Sequence, residues 1–325
     1  MWKLFSKRNY HHPNNLMNMK YKHIIMLMLL CSAVFINTTQ AQQDSQYTQY
    51  MYNTGTLNPA YVGSRGMLEL TTIYRSQWIG LDGAPKTFNF TANMPLKERS
   101  GLGFTVIHDE IGPSNESTIA ADFSYTVPVA DNLSLNFGIK GGINLLSVDF
   151  SLLNIRDPDE VFQENIDNRA TPIVGAGLYL YNNTWYAGVS IPNLLRTEHY
   201  DSSSLSNATE KPHIYIIGGY VFDLSDSIKF KPAVLSKLVV GAPAAIDLSA
   251  NFLFNERFTL GVAYRFDAAV SGLFGFQISE RLMMGLAYDY TISDFSTYPS
   301  SMEFFLRFDV AKYAKRCKCV NPRFF

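Results

Sequence analysis

The sequence predicts an all-β chain, a transmembrane antiparallel β-barrel of about 14 strands. Three observations lead there. Residues 67–308 alternate apolar and polar side chains at period two, which places one set on each face of a strand. The connections between the alternating runs sort by length into two classes that take turns along the chain. An export leader opens the sequence, and no later stretch approaches 18 uninterrupted apolar residues, so no transmembrane helix is expected.

The 325 residues carry 27 Lys+Arg against 28 Asp+Glu, with 47% hydrophobic, 14% aromatic and 17% charged residues. Soluble domains average about 25% charged residues, so this chain is unusually poor in charge. Near-neutrality excludes nucleic acid as a partner, because phosphate binding needs a basic face. So apolar and aromatic a chain is not intrinsically disordered.

The averages mix two populations. Residues 1–41 hold Lys3, Lys7, Arg8, Lys20 and Lys22 and no acid. Lys20 and Lys22 lead into the apolar run 24–36, followed by Thr39-Gln40-Ala41 and then Gln42. That order is a secretory signal peptide, and its 13-residue core is too short to span a bilayer. Residues 1–16 add nothing a signal needs, so Met17 or Met19 is an alternative start. Cys31 does not read as a lipidation site, since Leu30 stands where a small residue belongs. The mature chain, 42–325, keeps 22 basic against 28 acidic residues, formally −6.

Segment 42–66 precedes the alternation and is rich in Gln, Tyr, Asn and Gly, with an Asn58-Pro59 turn signal. It either folds into the barrel as a plug or stays outside as a periplasmic arm. Strands are then expected at about 67–78, 86–95, 101–109, 117–128, 133–143, 173–181, 185–191, 213–223, 228–238, 245–253, 258–266, 272–277, 281–290 and 302–308. In 133–139, for example, Leu133, Leu135, Phe137 and Ile139 interleave with Ser134, Asn136 and Gly138.

An exported β-sandwich would alternate too, but two features weigh against it. The apolar face carries aromatics at strand ends (Phe88, Phe258, Phe266, Tyr288, Tyr290 and Phe308), as interface girdles do. The other face is small and polar, like a wet lining. The connections 95–100, 128–132, 182–184, 224–227, 254–257 and 278–280 are all short. The long ones, 144–172, 192–212 and 291–301, all fall in the alternate set. Short periplasmic turns and long outer loops are the asymmetry of bacterial outer-membrane barrels.

Little in the chain is built for catalysis. The mature histidines are His108, His199 and His213, and no H-E-x-x-H, G-x-S-x-G or P-loop pattern occurs. Ser190, Ser203 and His213 do not amount to a catalytic set, and no cofactor or metal is expected. Cys317 and Cys319 read as a small disulfide or a crosslink, being too few ligands for a closed zinc site. They lie in a tail, 309–325, where Lys312, Lys315, Arg316, Lys318 and Arg323 face only Asp309. That net +4 is either solvated or meets lipid phosphates or an acidic periplasmic partner. The charges Lys140, Asp247, Arg265, Arg281, Asp289, Glu303 and Arg307 fall in the lumen phase. They pair across the interior or mark a substrate path. The first long loop is acidic, with Asp149, Asp157, Asp159, Glu160, Glu164 and Asp167, and the second carries Glu198. These are the candidate partner contacts, because function concentrates on loops held by a scaffold.

Particular stretches resemble a known family. Asn58-Pro59-Ala60-Tyr61-Val62-Gly63-Ser64 is followed by Tyr74-Arg75-Ser76-Gln77-Trp78-Ile79-Gly80, Gly83-Ala84-Pro85-Lys86-Thr87 and Gly101-Leu102-Gly103. Later come Trp185-Tyr186-Ala187-Gly188-Val189-Ser190-Ile191-Pro192-Asn193-Leu194, Phe230-Lys231-Pro232, Tyr264-Arg265 and Asn321-Pro322-Arg323-Phe324-Phe325. Together they resemble the PorP/SprF family of type IX secretion outer-membrane proteins. The resemblance implies a Bacteroidota outer-membrane barrel, shaped like long-chain fatty-acid transporters. It also implies work with the type IX machinery, supporting export or surface retention of a partner adhesin or other cargo through its C-terminal domain. Some members serve the core apparatus and contact its periplasmic ring. No catalytic residue carries over. The alternative is a transporter of small hydrophobic ligands, which the polar, glycine-rich lining disfavours; a third is a purely structural barrel.

Overall fold

In the computed structural model, residues 46–152, 165–195, 197–198, 209–292 and 300–310 are described. They form a closed antiparallel barrel of 14 strands. In chain order these are β1 (Leu68–Ser76), β2 (Lys86–Lys97), β3 (Ser100–Ile111), β4 (Ser114–Ala130), β5 (Leu133–Val148), β6 (Ile166–Tyr181) and β7 (Trp185–Ile191). The ring continues with β8 (His213–Tyr220 and Phe222–Ser225), β9 (Ile228–Val239), β10 (Ala245–Phe254), β11 (Phe258–Arg265), β12 (Ala269–Ser279), β13 (Leu282–Thr291) and β14 (Ser300–Val310). Strand β8 is interrupted once, at Val221, and both pieces pair with β9. Each strand pairs with its neighbours in sequence, and β1 closes on β14 from Leu68↔Val310 to Ser76↔Met302.

The alternation decides which face is which. On β14, Ser301, Glu303, Phe305 and Arg307 are buried while Met302, Phe304, Leu306 and Phe308 are exposed. On β2 the buried set is Thr87, Asn89, Thr91 and Asn93, and Phe88 is exposed. An outward apolar face and an inward polar one suit a barrel in lipid. Aromatic rings gather outside near the strand ends. Tyr220, Phe222, Phe230, Phe252 and Phe254 form a run of neighbouring rings beside the short turns, with Tyr220–Phe222 and Phe230–Phe252 centroids 4.4 and 4.8 Å apart. At the opposite end Tyr264 meets Phe266 edge-on at 5.0 Å.

The two ends of the barrel are built differently. At one end lie short turns such as 98–99, 131–132, 182–184, 255–257 and 280–281. Four strands running toward that end, β2, β4, β8 and β12, carry a register shift just before the turn, at Pro95/Lys97, Pro128/Ala130, Asp223/Ser225 and Gln277/Ser279. A bulge tightens the local twist and gives Pro95 and Pro128 a place where no ladder N–H is needed. The other end holds the long connections, among them 149–165 and 192–212. Loop 144–172 is thereby corrected to 149–165. Strands β5 and β6 go on pairing from Ile143↔Pro172 to Val148↔Ile166. A ladder continues into water as long as neighbours supply partners, so pairing outruns the lipid-facing pattern.

Candidate functional site: the occupied lumen

Residues 46–66 run inside the barrel. Nearly every residue from Tyr47 to Val62 is buried to 6% exposure or less. The segment is irregular: a 3₁₀ turn Tyr50–Tyr52, one helical turn Thr54–Leu57 and a second 3₁₀ turn Pro59–Tyr61. The last is capped by Asn58, whose side chain accepts from Ala60 N. Its wall partners come from β2, β5, β7, β10, β13 and β14, around the whole ring. Only a segment within the lumen reaches them all.

Toward the long-loop end the segment meets charge. Glu303 accepts from both Thr48 N (3.0 Å) and Gln49 N (2.8 Å). The Thr48 hydroxyl donates to Asp289 at 2.8 Å. Arg75 Nη1 bridges the two acids, 2.8 Å from Asp289 and 3.1 Å from Glu303. Beside this triad, Gln46 Nε2 donates to Asp247 Oδ2 at 2.7 Å, and Arg265 Nε meets Asp247 Oδ1 at 2.7 Å. One guanidinium against two carboxylates leaves the triad an excess negative charge, which the two backbone N–H groups offset.

Midway, Asn89 is the hub. It accepts from Asn53 Nδ2 (2.9 Å) and donates to Tyr47 Oη and Thr56 Oγ1, both at 3.1 Å. Tyr52 stacks on Phe305 at 4.5 Å. Ile73, Leu235, Leu273 and Met283 join these rings in one buried apolar cluster. The lining is therefore not uniformly polar, as the alternation suggested. Strands β1, β9, β12, β13 and β14 place apolar side chains in the lumen phase, where the tyrosines and leucine of the segment cover them.

Nearer the short turns the segment lies in a glycine groove. A Cβ at Gly138 would land on the Ala60 nitrogen, and one at Gly177 on Asn58 Oδ1. Side chains there would exclude the Asn58-Pro59-Ala60 turn, which explains glycine within strands that otherwise lose stability by it. Asn136 Nδ2 donates to Ala60 O (3.0 Å), Ser124 Oγ to Val62 O (2.6 Å) and Ser190 Oγ to Leu57 O (2.8 Å). Lys140 Nζ donates to Thr56 O (3.2 Å) and lies 3.5 Å from Asp122. Arg65 ends the segment between Glu69 (2.7 Å) and Asp309 (2.8 Å).

Of the charges placed in the lumen phase, Lys140, Asp247, Asp289, Glu303 and Arg307 are buried and Arg265 is nearly so. Arg281 is a correction: it sits exposed in the turn before β13, where alternation no longer maps to a wall. Arg75, Glu69, Asp122, Lys231 and Lys237 are buried charges that sequence reasoning missed. All share the inward phase of their strands, which is the signal that would have found them. Asp309 belongs to β14 rather than to a tail.

The acidic loop residues divide. Asp149 accepts from Ser151 N (3.0 Å), Ser151 Oγ (2.6 Å) and Asn165 Nδ2 (3.1 Å), tying the two ends of loop 149–165. Those bonds, the Ser151 hydroxyl's first, hold its carboxyl below the usual carboxylate range. Asp167 is exposed at the start of β6. Glu198 lies in a two-residue ladder with Thr209–Glu210. Asp157, Asp159, Glu160, Glu164, His199, Ser203, Cys317, Cys319, residues 1–41, expected to be a leader, and the residues beyond Val310 fall outside the described residues. Ser190 spends its hydroxyl on the lumenal segment.

The family model described as "Type IX secretion system membrane protein PorP/SprF" matches residues 39–308. The chain belongs to the PorP/SprF family. No curated protein sequence matches it. Solved structures with a similar fold include the CymD monoaromatic hydrocarbon channel, 14% identical, with TM-score 0.47 over 83% of this chain and 94% of that one. A Pseudomonas aeruginosa FadL homologue is 13% identical, TM-score 0.42, over 79% and 92%. The Ralstonia pickettii toluene transporter TbuX is 11% identical, TM-score 0.44, over 78% and 91%. A PorP/SprF barrel is an outer-membrane component of type IX secretion and meets other parts of that machinery. Its short turns are then periplasmic and its long connections face outward.

Proposed function

We propose that this PorP/SprF barrel supports export or surface attachment of a partner adhesin or other cargo, holding the cargo's C-terminal domain at its outer loops, and that it is not an enzyme. The observation that carries the reading is the family match over residues 39–308, joined to a lumen filled by the chain itself. A barrel whose interior is occupied has its outer loops left as the working surface. The acids of 149–165, with Asp167 and Glu198, suit a basic face on the cargo. In this reading residues 1–41 are a leader removed after Ala41, residues 42–66 plug the lumen, and the basic tail meets lipid phosphates or an acidic partner at the periplasmic side. Cys317 and Cys319 form its disulfide.

The test is protease shaving with mass spectrometry on a deletion strain and its complemented control. Loss of one or a few large surface proteins, restored by complementation, supports a dedicated cargo partner. Loss of nearly every type IX cargo supports a core role. An unchanged surface overturns the proposal. It would favour the second reading, uptake of small hydrophobic ligands, which the apolar cluster around Phe305, Leu235 and Met283 supports.

A further inference from the structure

The lumenal segment has a direction, and strand β14 reads it. From its outward end at Ser300 to its periplasmic end at Val310, β14 meets the segment in order. Glu303 accepts from the N–H groups of Thr48 and Gln49, Phe305 stacks on Tyr52, and Asp309 pairs with Arg65. Other strands agree. Asp247 and Asp289, which accept from Gln46 and Thr48, stand two residues from the outward ends of β10 and β13. Glu69, which pairs with Arg65, is the second residue of β1, at the periplasmic end. The segment therefore crosses the lumen with its amino-terminal end outward.

Fourteen strands, an even number, return the chain to the side where β1 began, so β1 starts and β14 stops at the periplasmic end. The lumenal segment adds one further crossing. At Gln46 the chain has no way back, because Tyr47 to Val62 are buried and fill the space below it. Gln46 itself is only half-buried, near the rim. We infer that the residues immediately before Gln46 leave through the outward mouth, so that the amino-terminal end is displayed outside the cell while β14 ends in the periplasm at Val310. The amino-terminal end thereby joins the surface that an extracellular protein partner meets. It emerges beside β10, where the neighbouring outward turns 240–244 and 266–268 are short, rather than beside the connections 149–165 and 192–212. A partner seated across the mouth is met from both sides. The inference rests on the path of the segment and stands whether or not cargo docks at the outer loops.

The experiment uses the full chain on living cells, in a parent carrying Cys31→Ser, Cys317→Ser and Cys319→Ser. Three variants of that parent are compared. Ser45→Cys lies just ahead of the segment, Ser151→Cys in the outward connection after β5, and Asp226→Cys in the short turn before β9. A maleimide too large to pass the outer membrane is added to intact cells and, separately, to permeabilised ones. Ser45→Cys is expected to label on intact cells as fully as Ser151→Cys, with Asp226→Cys labelling only after permeabilisation. Labelling of Ser45→Cys that follows Asp226→Cys instead overturns the inference. So does a Ser45→Cys that labels in neither preparation. An epitope inserted between Gln43 and Asp44 gives an independent reading, since antibody is expected to bind it on intact cells and an epitope reached only after permeabilisation overturns the inference. None of these readouts involves cargo, so their failure is distinct from failure of the cargo reading.

Discussion

Take away the Arg75 guanidinium and the buried Asp289 and Glu303 lose the cation that bridges them, keeping only hydrogen bonds from the lumenal segment. Arg75 is 2% exposed and the two acids 4% or less at their side chains. Breaking a buried ion pair from one side costs about 3–5 kcal/mol. Arg75→Met should therefore lower the temperature at which the folded band converts to the unfolded band on an SDS gel, and adding Asp289→Asn should recover part of the loss. An unchanged conversion temperature would remove the triad from the stability of the barrel. Sequence made the members of this site partly legible. Asp289 and Glu303 stand out as charges in a small polar phase, and the structure puts them together. Lys231 and Lys237 do not, because β9 carries Pro232 and Ser236 on its outer face and Ala233 and Leu235 inside, which blurs the alternation. Arg281 is misread for the opposite reason. It shares the phase of Met283, Ala287 and Asp289 but stands one residue before β13 begins at Leu282.

At the level of elements, the turn between β10 and β11 carries identifiable strain. Asn255 and Glu256 both adopt positive φ, 50° and 54°, and Arg257 N bonds Phe254 O at 2.9 Å. Two positive φ values between antiparallel strands mark a type I′ turn, whose preferred second residue is glycine. Glu256→Gly should stabilise the barrel by about 0.5–1 kcal/mol in a denaturant titration, because a side chain in that region is strained. Glu98→Gly, in a turn without positive φ, should not. Loop 149–165 makes a second case. The Asp149 carboxyl is depressed when folded, so its bonds stabilise the loop above the ordinary carboxylate range and are lost as pH falls through the folded value. Proteolysis of the loop should rise as pH drops below about 4, near the reference value for aspartate, and Asp149→Asn should abolish that dependence. Strands were legible because period two survives in almost every one. The path of residues 46–66 was not. Its helical turns last three or four residues, and its partners lie as far away as Asp289 and Glu303. No local pattern encodes a segment whose shape is imposed by a wall assembled from the rest of the chain.

For the whole molecule the decisive property is closure. Fourteen strands sit between barrels filled by wall side chains and the porins of 16–18 strands that hold water. A wall with glycine at positions 101, 103, 138, 177 and 188 leaves space, and the segment from Tyr47 to Val62 occupies it. The filling differs along the axis. Charge pins the outward end, an aromatic and apolar cluster fills the middle, and a turn set into glycines with Arg65 beyond it closes the periplasmic end. The glycine groove is the most sensitive part, because a side chain there cannot coexist with the turn. Gly138→Val should leave the strands paired, since valine suits a strand, yet expel the Asn58-Pro59-Ala60 turn from its seat. In planar bilayers the parent protein should then be nearly silent. The variant should open, with conductance raised about tenfold or more if the lumen becomes the water-filled bore expected of a barrel this wide. Arg65 would become accessible to limited trypsin digestion in the same preparation. A silent Gly138→Val barrel that still resists SDS would mean the turn finds another seat, and the closure would then belong to the outward charge cluster rather than to the glycines.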